Sequence, residues 1–372
     1  MQPHSWLGNH ACNDFDTGSD APQSPSNIGP SGSTEDFDTD NHPLDEPAHR
    51  NPNSFDMPPG NVEDLWLQDT IHCDDLRTAV EFVKGLQGAT LDDPSLGMSD
   101  GALHDGLWNL PHEQSPRALD KVTWLVIDLF LGNPSEATYK TNCRAILRFQ
   151  PDLDLMSYYK VKSLVANLTG IESVIHHMCV KSCIAYTGPF VDLNACPLCS
   201  KPWYDQFCLK SSSGLEKVPC QEFYTIPIGP QLQALYRSLE SASCAHYLHS
   251  KSHCVHAELD HAGSLDQYSD VLYGTDLVKA FEDGRINEND IVLMFSIDGA
   301  QLYAKKAPAC WIYIWVLLNL SPAEHYKKKQ VFIGGFIPGP NNPKNIDSFL
   351  FPGLQHLVAL QKERLRIWDA VL

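Results

Sequence analysis

Ile291-Val-Leu-Met-Phe-Ser-Ile-Asp298-Gly-Ala-Gln-Leu-Tyr303 is the stretch on which the fold turns. From Ile291 to Ile297 every residue but Ser296 is apolar, the pattern of a strand covered on both faces. The run leads directly into Asp298-Gly299. A carboxylate at the end of a buried strand is well placed to hold a metal ion or act in catalysis. Asp-Gly between apolar runs is also the commonest signature of a type I′ hairpin turn, and on spacing alone the turn is the more frequent outcome. The two readings are compatible, so the neighbouring segments have to decide.

Downstream, Cys310-Trp-Ile-Tyr-Ile-Trp-Val-Leu-Leu-Asn-Leu320 is a second strand, rich in aromatic and β-branched residues. Lys329 to Ile337 is a third, closed by the turn-forming run Pro338-Gly-Pro-Asn-Asn-Pro343. Ile346 to Trp368 has the periodicity of one long amphipathic helix, with Leu350, Leu354, Leu357, Leu360 and Ile367 recurring. Just upstream, Asp276 to Asp283 fits a short helix ended by Gly284.

Further upstream, the cysteines Cys179-Val-Lys-Ser-Cys183 and Cys196-Pro-Leu-Cys199 form two close pairs. Each short turn can present two thiolates to one ion, the arrangement of a tetrahedral structural zinc site with no open coordination position. His176, His177, Cys208 and Cys220 are further candidates nearby. Pro230 to Leu239 fits a helix. The stretch 244–261, containing Cys244, His246, His249, His253, Cys254, His256 and His261, resembles a metal tract, but its irregular spacing and polar flanks favour a solvated loop. Before the cysteines, Ala118–Leu131, a segment from Ser135 to about Phe149, and Leu155–Leu168 have helical apolar spacing, Ser135 being a candidate N-cap with Glu136 behind it.

The chain has 372 residues and a net charge of −19, which is unevenly spread. Residues 1–115 carry 21 acidic against 3 basic side chains, whereas the remainder is nearly balanced at 25 against 24. The acidity therefore belongs to a tail and does not argue against a nucleic-acid partner for the rest. Residues 1–60 have too few apolar side chains to offset chain entropy, so no fixed structure is expected there. A short amphipathic helix fits Leu76–Leu86, and order is expected to begin near Arg117. The N-terminus has no basic start and no apolar segment of a secretory signal, and the longest apolar run is far too short to span a bilayer. Twelve cysteines in such a chain point to thiols or metal ligands.

Three strands and then a helix, with a carboxylate at the end of the first strand, form the opening half of a ribonuclease-H-like fold. Several stretches are more specific. Ser296-Ile-Asp-Gly-Ala-Gln-Leu-Tyr303, Trp311-Ile-Tyr-Ile-Trp315, Asn319-Leu-Ser-Pro322, Gly334-Gly-Phe-Ile-Pro-Gly-Pro340 and Asn345-Ile-Asp-Ser-Phe-Leu350 resemble the transposase of CACTA-type (En/Spm) DNA transposons, in particular its Plavaka-like fungal branch. Met178-Cys179, Ser182-Cys183-Ile-Ala-Tyr-Thr-Gly-Pro189 and Cys196-Pro-Leu-Cys199 resemble the cysteine segment of that family. The resemblance covers about residues 117–372.

Composition and resemblance together give an α+β protein of five parts: an acidic, largely disordered tail (1–116) outside the resemblance, a helical region (117–175), a zinc-binding module (176–225), a helix with a polar His-rich loop (226–269) and, by the resemblance, the first half of a ribonuclease-H-like core (270–372). The resemblance further implies DNA cleavage and joining by three acidic residues with Mg²⁺ or Mn²⁺, Asp298 matching the first acid and magnesium ligand, while Cys179, Cys183, Cys196 and Cys199 hold zinc. DNA transposon ends as partner, homo-oligomers and a nuclear location follow from the same resemblance. Two-metal chemistry needs several carboxylates. Asp347, which fits a helix N-cap, Glu363, and Asp369 at the helix end are poor second ligands, so the chain is expected to be truncated within the core and inactive. The alternative is a zinc-dependent DNA- or protein-binding module without catalysis. Lys305, Lys306 and Lys327–Lys329 are candidate phosphate contacts.

Overall fold

The computed structural model describes residues 73–93, 102–109, 119–132, 135–265, 267–287, 289–300, 310–339 and 341–372. The tail expected over residues 1–60, and Lys305 and Lys306, lie outside them. The three apolar runs form strands β3 (Leu293–Ala300), β4 (Cys310–Leu317) and β5 (Val331–Pro338), paired antiparallel in sequence order. Two four-residue strands, β1 (Val174–His177) and β2 (Glu222–Thr225), extend the sheet beyond β5 to give the order β1-β2-β5-β4-β3. All four pairings are antiparallel.

Two expectations about the first stretch are corrected. Asp298-Gly299 is not a turn: Asp298 pairs with Ile312 and Gly299 with Trp311, and the ladder continues to Ala300 opposite Cys310. Nor is β3 covered on both faces. It is an edge strand, and Phe295, Ser296 and Asp298 are exposed. On one face Leu293 and Ile297 join the core around Tyr313, Trp315 and Leu317.

The helices lie mainly against that core. Helix α12 (Ile346–Glu363) is capped by the Asn345 side chain, which accepts from the Ser348 amide at 2.9 Å. Asp347 is therefore in the first turn and not the cap. The helix stops at Glu363, with Arg364 at φ 67°, and the chain continues without regular structure past Trp368. Its Gly353 faces the Tyr313 hydroxyl, while Gly334 and Gly335 of β5 leave room for the Tyr313 ring. A Cβ at Gly334 would lie 2.1 Å from that ring. The register of β4 against β5 shifts at this point, between Tyr313 and Ile314.

Packed structure begins ahead of residue 117. Helix α1 (Asp74–Gln87) buries Phe82 against Phe190 and Phe351, and the loop after it is fixed by Leu91 N donating to Glu363 Oε1 at 2.8 Å. Helix α2 (Ala102–Trp108) buries Leu107 beside Gly229, in helix α7 (Ile228–Tyr236). Helices α3 (Lys121–Gly132), α4 (Glu136–Phe149) and α5 (Tyr158–Thr169) close a separate small core around Val126, Ile127, Tyr139 and Val161. A short helix α6 (Gln206–Ser211) follows the second cysteine pair.

The stretch 244–261 is helical and not a loop. Helices α8 (Leu239–Ala245) and α9 (Tyr247–Ala262) bury Ala242, Ala245, Leu248, Ser252 and Val255, a sparse stripe that its many polar residues obscure. Helices α10 (Thr275–Glu282) and α11 (Pro322–His325) complete the helical set. No helix among the described residues is long and apolar enough to cross a membrane.

Candidate metal centre

The two cysteine pairs sit on two turns of matching design. Each begins and ends on an isolated β-bridge, Met178 with Ala185 and Ala195 with Pro202. Inside them, Cys179 N donates to Ile184 O at 2.9 Å, and Cys196 N donates to Lys201 O at 2.8 Å. Each turn places one serine in the left-handed region, Ser182 at φ 57° and Ser200 at φ 57°. A non-glycine residue there carries strain, which persists only where the surroundings over-determine the backbone. Here two cysteines per turn must point to one side.

The four sulfurs lie within 4.8 Å of one another, with Cys179 Sγ and Cys199 Sγ 3.4 Å apart. Tetrahedral zinc with Zn–S bonds of about 2.3 Å holds its sulfurs roughly 3.8 Å apart, so the group fits one such ion. Cys179, Cys183 and Cys196 are buried and Cys199 is half-buried. With four protein ligands the site is closed, and it offers an ion structure rather than chemistry.

Backbone amides face the sulfurs, as Lys181 N to Cys179 Sγ at 3.4 Å illustrates. Burial pushes the Cys183 thiol up and the Cys196 thiol up to about 11. At Cys199 burial also acts upward, but the Lys201 amide and the neighbouring sulfurs outweigh it and bring the thiol down to about 7. One thiolate therefore forms readily. The raised Cys183 and Cys196 thiols need a cation, which is how metal binding to such a cluster comes to release protons.

The site is not a separate module. Strands β1 and β2 flank it and join the main sheet through β2 and β5. Cys183 O accepts from the amides of Lys344 and Asn345 at 3.1 and 3.0 Å, which ties one turn to the start of α12. Ala185 N donates to Ser348 Oγ at 2.9 Å, and Asn341 Nδ2 donates to Lys181 O at 3.2 Å. Trp203 stacks on Tyr186 with ring centres 4.2 Å apart and donates to His177 Nδ1 at 3.1 Å. His176 is buried against Thr225 Oγ1 at 2.8 Å, and burial brings it down to about 4. The four cysteines form the ligand group, and His176, His177, Cys208 and Cys220 are outside it.

Asp298 is placed differently. It lies on β3, at the opposite edge of the sheet from β1, and roughly 19 Å separates those edge strands at the usual spacing between neighbours. Its pairing with Ile312 puts it on the face opposite Phe295, Tyr313 and Trp315. The carboxylate is exposed and accepts from its neighbour Gly299 N at 2.7 Å. Among the described residues no cluster of three potential ligands includes Asp298. Asp369, considered as a second ligand, instead binds His246 Nε2 at 2.8 Å.

Sequence reasoning did not find that the two short strands carry the metal site into the sheet. No family model matches the chain, and no curated protein or solved structure shows significant similarity to it.

Proposed function

We propose that this chain is a transposase-like protein of the cut-and-paste DNA transposon type, held by a structural zinc and without strand-cleavage activity by itself. The observation that supports this most is the meander β3-β4-β5 followed by α12, with Asp298 on the first strand at the open edge. This is the arrangement expected of the first half of a ribonuclease-H-like core. In that reading Asp298 is the first of three acidic ligands for Mg²⁺ or Mn²⁺. One exposed carboxylate holds Mg²⁺ weakly, because the ion keeps its waters unless several oxygens surround it. The partner in this reading is duplex DNA at transposon ends, met in the nucleus, and the open β3 edge favours association between copies.

The closed thiolate group supports a second reading, a non-catalytic zinc-dependent module that binds DNA or protein. A labelled-DNA assay with Mg²⁺ and Mn²⁺ tests the first reading. The expected result is salt-sensitive binding of duplex DNA without nicking, unchanged in Asp298→Ala. Metal-dependent nicking that is lost in Asp298→Ala would contradict the proposed inactivity. Absence of any DNA binding would remove the transposase reading and leave a protein-binding module.

A further inference from the structure

Helices α3, α4 and α5 share a core of their own, and outside it two of them present a continuous polar surface. Glu136, Lys140, Arg144 and Arg148 recur every four residues along α4, which sets them in one line on the helix. On α5 the line Tyr159, Ser163 and Asn167 has the same spacing. Lys160 and Lys162 stand on either side of it, and buried Val161 is on the opposite face. Glu136 is half-buried, and the other polar residues of the two lines, with Lys160 and Lys162, are exposed. The lines meet at one end, where the Tyr159 hydroxyl donates to Glu136 Oε2 at 3.2 Å.

Within α4 and α5 five bases stand against one acid, Glu136, and Lys140 pairs with it. The other nearby acids are set apart, Asp128 on α3 and Asp152 and Asp154 in the connection between α4 and α5. The Arg144 guanidinium is steadied along its helix, Nε donating to Lys140 O and Nη2 to Thr141 Oγ1, both at 3.3 Å. A guanidinium held in this way loses little freedom on meeting a phosphate. Thr141, Arg144, Leu147 and Arg148 line an open depression of about 480 Å³ beside it.

We propose that this surface holds duplex DNA, with α5 in the major groove and α4 along the phosphate backbone. The proposal names an interface for the transposase-like reading above and rests on that reading. The major groove of B-DNA, about 12 Å wide, admits one α-helix. Tyr159, Ser163 and Asn167 carry hydroxyls and an amide that can bond to base edges, while Lys160, Lys162, Arg144 and Arg148 meet phosphates. The deep, narrow major groove of an RNA duplex does not admit a helix in this way, so the surface fits DNA.

The test is fluorescence-anisotropy binding of the full-length, zinc-loaded chain to a labelled DNA duplex of random sequence across a range of salt, beside an RNA duplex of the same length. Arg144→Gln/Arg148→Gln should weaken DNA binding about tenfold at physiological salt and lower the salt slope by about two. Lys279→Gln/Arg285→Gln removes the same charge elsewhere and should leave both unchanged. The RNA duplex should bind more weakly than the DNA. Binding by the wild type that is unchanged in Arg144→Gln/Arg148→Gln, or equally weakened in Lys279→Gln/Arg285→Gln, would overturn this surface alone. An RNA duplex bound as tightly as DNA would overturn the seating of α5 in the major groove. A wild type that binds no DNA would overturn both this surface and the reading it rests on. Circular dichroism shows that each variant is folded.

Discussion

His356 shows how one side chain in α12 sets a condition on the whole fold. It is buried, with Nε2 accepting from Gly229 N at 3.2 Å, and burial brings it down from 6.5 to about 4. Between those values the unfolded chain takes up a proton that the folded chain does not. Its contribution is therefore intact above pH 6.5 and is lost as the pH falls toward 4, by roughly 3 kcal/mol in total. Denaturant unfolding from pH 7 to 4 should show a stability difference between wild type and His356→Asn that closes on acidification. A constant difference across that range would show that the imidazole takes up its proton equally in the folded and unfolded chains. At the same scale, Asp298 was legible as a carboxylate on a strand. Its exposure was not, because a run of apolar residues does not say which of two faces has a partner.

At the scale of elements, what was legible followed locality. The strands β3, β4 and β5 and the helices α1, α4 and α12 each announce themselves by apolar spacing within one segment. β1 and β2 do not: Val174-Ile-His-His177 and Glu222-Phe-Tyr-Thr225 are four residues each, half of them polar, and become strands by pairing with each other and, for β2, with β5. Helix α9 was hidden for a different reason, since its buried stripe of Leu248, Ser252 and Val255 is diluted by histidines and serines. The cysteine group was legible because its four members lie on two tight turns, each local in sequence. What joins the cysteine turns to the sheet makes a prediction. When zinc is stripped, hydrogen exchange should accelerate at the amides of Lys344, Asn345 and Ala185, which bond to or lie within the first turn. The α3–α5 core, with its own packing around Tyr139, should keep its protection. Equal protection at Lys344 with and without metal would mean that the turn does not need the ion.

At the scale of the molecule, the first cysteine turn follows β1 at one edge of the sheet, and Asp298 lies on β3 at the other. Asp298 shares no ligand group with the cysteines among the described residues, so an ion held by them would act by fixing the turn that bonds to the end of β5 and the start of α12. Apparent binding free energies of structural zinc, about 10–16 kcal/mol in small zinc domains, are comparable to the entire stability of a domain. The most direct test is the metal content of the full chain purified without added zinc and dialysed, followed by thermal unfolding with and without a strong chelator. The account predicts one tightly held zinc per chain that is absent in Cys196→Ser, with unfolding at markedly lower temperature once the metal is removed. A chain that carries no zinc, yet unfolds cooperatively at the same temperature as the same chain supplied with it, would contradict the account.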